Sequence, residues 1–150
     1  SVSAIMFGCS DPEKEDQFRI VNAKLDKLVE AFEKTDIETH TSIWALDDSL
    51  RVYGVYRGNN FNGWDELKAH FEKASKNISE SRIEVLEKNV NISEDKKTAW
   101  FSMLCNQYVK MNKTERELSG LRYTGIMQII GGDWRIVQFH GSIPLNISIR

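Results

Sequence analysis

Four side chains near the end of the chain, Arg122, Thr124, Gln138 and His140, are of the types that hold anions or move protons. A guanidinium forks onto a carboxylate or phosphate, and an imidazole titrates close to neutral pH. In extended backbone alternate residues share a face. That rule puts His140 with Gln138, Ile136 and Trp134, and Arg122 with Thr124, so that two neighbouring strands could line one cavity. An Arg122 buried there requires a protein carboxylate or an anionic ligand. The structural alternative is a hydrogen-bonded pair, His140 and Arg122, holding strand ends together.

The remaining reactive side chains point to less. Cys105 sits in an apolar stretch and reads as a small buried hydrophobe. The two cysteines and three histidines show no ligand spacing, so neither a structural metal nor a cofactor is expected. Asp47 and Asp48 fall at a helix-to-strand turn, where solvated turn carboxylates are the simplest reading. The net charge is −2 with Lys and Arg scattered among Asp and Glu, which argues against a nucleic-acid surface. The four tryptophans, Trp44, Trp64, Trp100 and Trp134, read mainly as core and rim packing, with Trp44 also placed to touch a ligand.

These side chains need elements to position them. The chain has 150 residues, enough for one domain with a real core. Ser10-Asp11-Pro12-Glu13 is a helix start, with a capping oxygen, an early proline and a carboxylate at the positive end of the dipole. Phe18, Val21, Leu25, Leu28, Val29 and Phe32 then share one helical face to about Lys34. A short helix through Ile37, Thr41 and Trp44 is expected to end near Asp47-Asp48. A strand over Arg51–Arg57 and a loop over Gly58–Gly63 precede a third helix marked by Trp64, Leu67, Phe71 and Ala74. From about Ser81 the period becomes two, giving strands near Ile83–Ile92, Thr98–Met111, Leu118–Ile130 and Trp134–Gly141. Helices followed by hairpins predict an α+β domain, helices packed on one face of a curved antiparallel sheet that can enclose a pocket. Several strands are apolar on both faces, which predicts that a second subunit covers the outer face.

The segment Arg122-Tyr123-Thr124, the Gly131-Gly132 hairpin, Trp134-Arg135-Ile136-Val137 and the closing His140, Ser142 and Pro144 resemble the SnoaL-like branch of the nuclear transport factor 2 superfamily. Within it the chain is similar to the association domain of calcium/calmodulin-dependent kinase II. The stretch LVEAFEKTDIETHTSIWALDDSLRVYG and the step Asn62-Gly63-Trp64-Asp65-Glu66-Leu67 fit the same pattern, so the likeness runs from Asp16 to Pro144. The resemblance implies a cone-shaped barrel with a pocket between the sheet and the first helix, and a homodimer joined through the outer sheet face. An isomerase of this superfamily would carry a carboxylate base on the first strand. Here that position falls at Tyr53, a poor base at neutral pH, and the strand has no acid.

The expected function is therefore binding of a small anionic or apolar molecule, contacted by Arg122, Thr124, Gln138, His140, Tyr53 and Trp44. The first alternative is a SnoaL or dehydratase type of enzyme with His140 as acid/base and Tyr53 as helper. The second is an oligomerisation module like the kinase association domain. Residues 1–10 form a separate tail ahead of the domain at 11–150. There an uncharged apolar run stops at Gly8-Cys9 and polar acidic sequence follows, the look of a bacterial lipoprotein signal. Cys9 is the expected lipidation residue, which would place the protein in the cell envelope, and otherwise in the cytoplasm.

Overall fold

The computed structural model describes residues 11–148, so Cys9 and the expectation attached to it lie outside the described residues. Helix α1 spans Pro12–Lys34, and the Asp11 side chain accepts from the backbone N–H groups of Glu13 and Lys14. Val21, Leu25, Leu28 and Ala31 form its buried stripe, while Phe18 is largely exposed. Thr35, in the left-handed conformation, ends it.

Helix α2 is only Ile37–Thr41. It stops well short of Asp47 because the following residues are taken by the sheet. Ala45 N–H donates to Ile136 O at 2.9 Å and Ile136 N–H donates to Ile43 O at 2.8 Å. Arg135 Nη1 donates to the carbonyls of Thr41 (2.8 Å) and Trp44 (3.0 Å), and Lys24 Nζ reaches Ser42 O (2.9 Å) and Asp133 (2.8 Å). These bonds fix the end of α2 against the sheet.

Strand β1, Arg51–Tyr53, is shorter than its Val- and Tyr-rich composition predicts. The chain reverses after Gly54, whose N–H donates to Asn59 O, and returns as β2, Asn60–Asn62, where a loop was expected. Helix α3 spans Trp64–Asn77 and buries Trp64, Leu67 and Phe71. Four long strands follow: β3 (Ile78–Ile92), β4 (Thr98–Met111), β5 (Thr114–Ile130) and β6 (Asp133–Ser142). Strand β5 begins four residues ahead of the predicted Leu118, since its polar start still pairs with β4, Arg116 opposite Val109. Both later hairpins close through two residues with positive φ, Asn112-Lys113 and Gly131-Gly132, the turn whose twist matches antiparallel strands.

The sheet is open, six strands in the order β2-β1-β6-β5-β4-β3. It is not wholly antiparallel, because β1 lies parallel to β6. The core sits between its inner face and the helices, with Ala99, Phe101, Met103 and Cys105 of β4 facing Leu121, Tyr123 and Met127 of β5. Strand β3 is an edge, carrying Glu80, Arg82, Glu84, Glu87 and Lys88. Helix α1 closes on it through Lys88–Asp26 (2.6 Å) and through Glu33, which accepts from Ile83 N–H at 3.0 Å.

Gly125 lies under the Phe101 ring, and a Cβ there would come within 2.5 Å of that ring and 2.8 Å of Gln138 O. Gly125→Ala should therefore lower unfolding free energy by about 2 kcal/mol, the range of a small overpacking error. Urea denaturation measures it. Phe101→Leu in the same chain should recover part of the loss, since the two residues share one space.

Candidate functional site

The sheet's inner face and the helices enclose a cavity of about 360 Å³. It opens between the end of α1, α2, α3, the β1–β2 turn and the β4–β5 hairpin. Phe32 lines it, 5.3 Å from His40, 6.0 Å from Tyr123 and 6.1 Å from Phe71, ring centre to ring centre. Trp44 and Phe139 meet edge to face at 5.3 Å. Thr35, Asn59, His70, Gln107 and Arg116 add polar groups to a lining that is mainly apolar and aromatic.

His40 is buried in this wall. It stacks on Phe71 at 3.8 Å, and Trp44 Nε1 donates to its Nδ1 at 3.1 Å. An indole N–H can only donate, so Nδ1 is bare and the neutral ring carries its proton on Nε2. Burial pushes its pKa down to about 4, against smaller upward pulls from Asp36 and the Ala31 backbone. His40 thus braces the cavity as a neutral ring. Burial also lowers His70, helped by Lys73, and raises Tyr123, which stays a phenol. Cys105 lies behind the lining, its thiol pushed up to about 11 by burial.

The residues expected to line the pocket from strand parity are elsewhere. Arg122, Thr124, Gln138, His140 and Tyr53 are all exposed on the outer face of the sheet. The cause is a bulge in β6. Ile126 pairs with Gln138 but Met127 pairs with Ile136, so Val137 is an extra residue and parity changes there. Trp134 and Ile136 point in, then Phe139 and Gly141 point in, and Gln138 and His140 point out. Arg122 and Thr124 alternate outward between buried Leu121 and Tyr123. Tyr53, beside His140 across the parallel ladder, follows it, the rings edge to face at 6.2 Å. Of the six expected contacts only Trp44 lines the cavity.

The outer set is nonetheless brought together. Ser102, Thr124, His140 and Tyr53 pair in turn across four strands, and Asn91, Trp100, Ile126, Gln138 and Arg51 form the next rank. Of these, Asn91, Ser102, Thr124, Ile126, Gln138 and His140 line a depression together with Trp100, which is 48% exposed. This face is mixed, more polar than the strand sequences imply, because the bulge turns Phe139 inward. His40, His70, Gln107 and Arg116 are among the cavity residues that the sequence did not single out. For His40 the signal was present: it stands four residues before Trp44, the spacing that brings two side chains together over one turn. Among the described residues no three His, Cys, Asp or Glu side chains converge as metal ligands, and no helix is long and apolar enough to cross a membrane.

Because the folded His40 takes up a proton near pH 4 and an unfolded one near 6.5, the unfolded chain binds more protons between those values. Stability should accordingly fall as pH drops from about 6.5 to about 4, by up to ~3 kcal/mol from this residue. Urea midpoints at pH 7 and 4.5 test it. In His40→Gln the midpoint at pH 7 should be lower, and most of the pH dependence should be gone, with a remainder from His70.

The profile of the SnoaL-like domain matches residues 21–146. No curated protein sequence matches the chain. A nuclear transport factor 2-like superfamily protein from Salmonella enterica superposes with a TM-score of 0.78 at 13% identity, covering 90% of this chain and 96% of that one. The structure named "Putative Aromatic Ring Hydroxylase" from Novosphingobium aromaticivorans gives 0.74 at 13% identity, covering 89% and 92%. The "Putative calcium/calmodulin dependent protein kinase II association domain" from Xanthomonas campestris gives 0.70 at 16%, covering 86% and 89%. Three helices laid on an open, bulged six-stranded sheet, with the profile match over most of the length, make this chain a member of the SnoaL-like domain family, with the nuclear transport factor 2-like fold.

Proposed function

We propose that this chain is a small-molecule-binding domain whose ligand has an apolar ring system and places it in the cavity between the sheet and the helices. The carrying observation is the cavity itself: about 360 Å³, walled by Phe32, Trp44, Phe71, Tyr123 and Phe139. That volume falls within the range of small-molecule sites, and aromatic walls favour flat apolar guests. The few polar groups, Gln107 and His70 among them, orient such a guest without charging the interior. The structural neighbour named for an aromatic ring hydroxylase supports a ring-bearing occupant in kind. Acid–base catalysis by His140 with Tyr53 finds no support here, as both stand across the sheet from the cavity.

Naphthalene, indole and 2-naphthol are suitable probes. A ligand at a hundred times its Kd stabilises the folded state by about 2.7 kcal/mol, a shift of several degrees in Tm. Ala74 lines the cavity from α3, and Ala74→Phe should fill it and cancel the shift while the protein still folds. No shift with any ring compound, or an undiminished shift in the variant, would remove the proposal.

The working form in this reading is a homodimer joined through the outer face, around Trp100 and Ile126. Sedimentation should give twice the 17.3 kDa chain mass. Trp100→Glu should restore the single-chain mass with Tm little changed. A wild-type monomer at micromolar concentration overturns this.

A further inference from the structure

The cavity's one charged lining residue says which class of ligand it takes, an inference that rests on the cavity reading above. Among the described residues that line it, Arg116 is the only ionised side chain, and no Asp or Glu joins it. It lies at the start of β5, opposite buried Val109, and so on the inner face with Leu118. Its chain neighbours Glu115 and Glu117 alternate to the other face. There they pair with Lys110 and Tyr108 across the ladder, Glu115 reaching Lys110 at 3.9 Å. Among the described residues no carboxylate comes within 4.0 Å of the Arg116 guanidinium. The acidic residues that surround Arg116 in sequence are thus kept off it in space.

What does hold the guanidinium is the Tyr56 ring, 5.7 Å away, carried by the β1–β2 turn. Both residues line the cavity, so the pair bridges its mouth from two separate hairpins. A contact with a ring face positions a cation without neutralising it. Arg116 is exposed and keeps its water, so its charge is maintained at no great cost. Behind it the lining has aromatic rings, neutral His40 and amides. The cavity is therefore polarised along its depth, apolar at the floor and positive at the rim.

We propose that the ligand is an organic monoanion, an apolar ring system bearing one carboxylate or sulfonate, seated with its rings among Phe32, Phe71 and Phe139 and its charge on Arg116 at the mouth. A cation of the same shape is refused by the rim, and a second charge placed deep in the guest has no partner there. Tyr56 covers the guest's charged end once the guanidinium turns to it.

A matched pair of probes tests this: 8-anilinonaphthalene-1-sulfonate and N-phenyl-1-naphthylamine, which share a ring system and differ in the sulfonate. Fluorescence titration of the wild type should show the anion bound about tenfold tighter, the size of one charge-assisted contact at a wet rim. The preference should narrow in high salt. Arg116→Gln should bring the two probes level by weakening the anion alone, leaving the neutral probe and Tm unchanged. Arg116→Lys should keep part of the preference, having the charge but not the fork. Equal binding of both probes to the wild type, or a preference that survives Arg116→Gln, overturns the assignment of Arg116 while the cavity reading stands. Failure of both probes to bind the wild type, or binding that Ala74→Phe leaves intact, overturns the cavity reading and this inference with it.

Discussion

Strand β6 is hydrogen-bonded along both edges, antiparallel to β5 and parallel to β1, and it also receives Ile43 and Ala45 through Ile136. Its two ends therefore serve different neighbours. Between them it has one residue more than β5 can pair, and that residue is Val137. A one-residue slip exchanges the faces of everything beyond it. Ahead of the bulge Trp134 reaches Gln17 of α1 and Ile136 is bonded to the segment that follows α2; beyond it Phe139 and Gly141 become part of the wall of the cavity. With strict alternation, His140 and Gln138 would face the helices and Phe139 would lie in water. The identity of the cavity lining depends on this one insertion, and so does the polar character of the outer face.

The same wall shows how stability and a binding site share residues. His40 fills core space, accepts from Trp44 and stacks on Phe71. It does so only as a neutral ring, because the space around it cannot solvate an imidazolium. An aromatic wall built in this way is rigid, since each ring is held by at least one other. A guest meets a surface already shaped, which reduces the ordering that binding would otherwise require. The polar residues near the opening, Asn59, Tyr56 and Arg116, are by contrast on hairpins whose tips are free of the core.

Elements whose signal is periodic burial were legible in the sequence. The stripe Val21, Leu25, Leu28 set α1, and the limits of β4 follow from an alternation that runs unbroken from Ala99 to Cys105. Elements defined by partners were not. Nothing in Asn60-Phe61-Asn62 reads as a strand; only Arg51, Val52 and Tyr53 opposite make it one. The end of α2 is decided by Arg135 and Ile136, about ninety residues away in sequence. The site failed for a related reason: parity was carried across Val137 as if strands never bulge. The spacing of the apolar residues, 134, 136, then 139, held the hint, because a strand that buries Phe139 with Ile136 has to change phase between them. Arg116 was hidden differently, as one charge in the run Glu115-Arg116-Glu117, where only the ladder separates inner from outer.

The long edge strand β3 has a further consequence, for how copies of this chain can meet. Unpaired strand edges invite another chain to add on, and fifteen residues of open edge would be a template for aggregation. Here the edge carries both acids and bases, is interrupted by an irregularity between Val85 and Glu87, and has one of its donors taken by Glu33 from α1. At the other margin β2 offers only three residues. Growth of the sheet by lateral accretion is thereby closed at both ends.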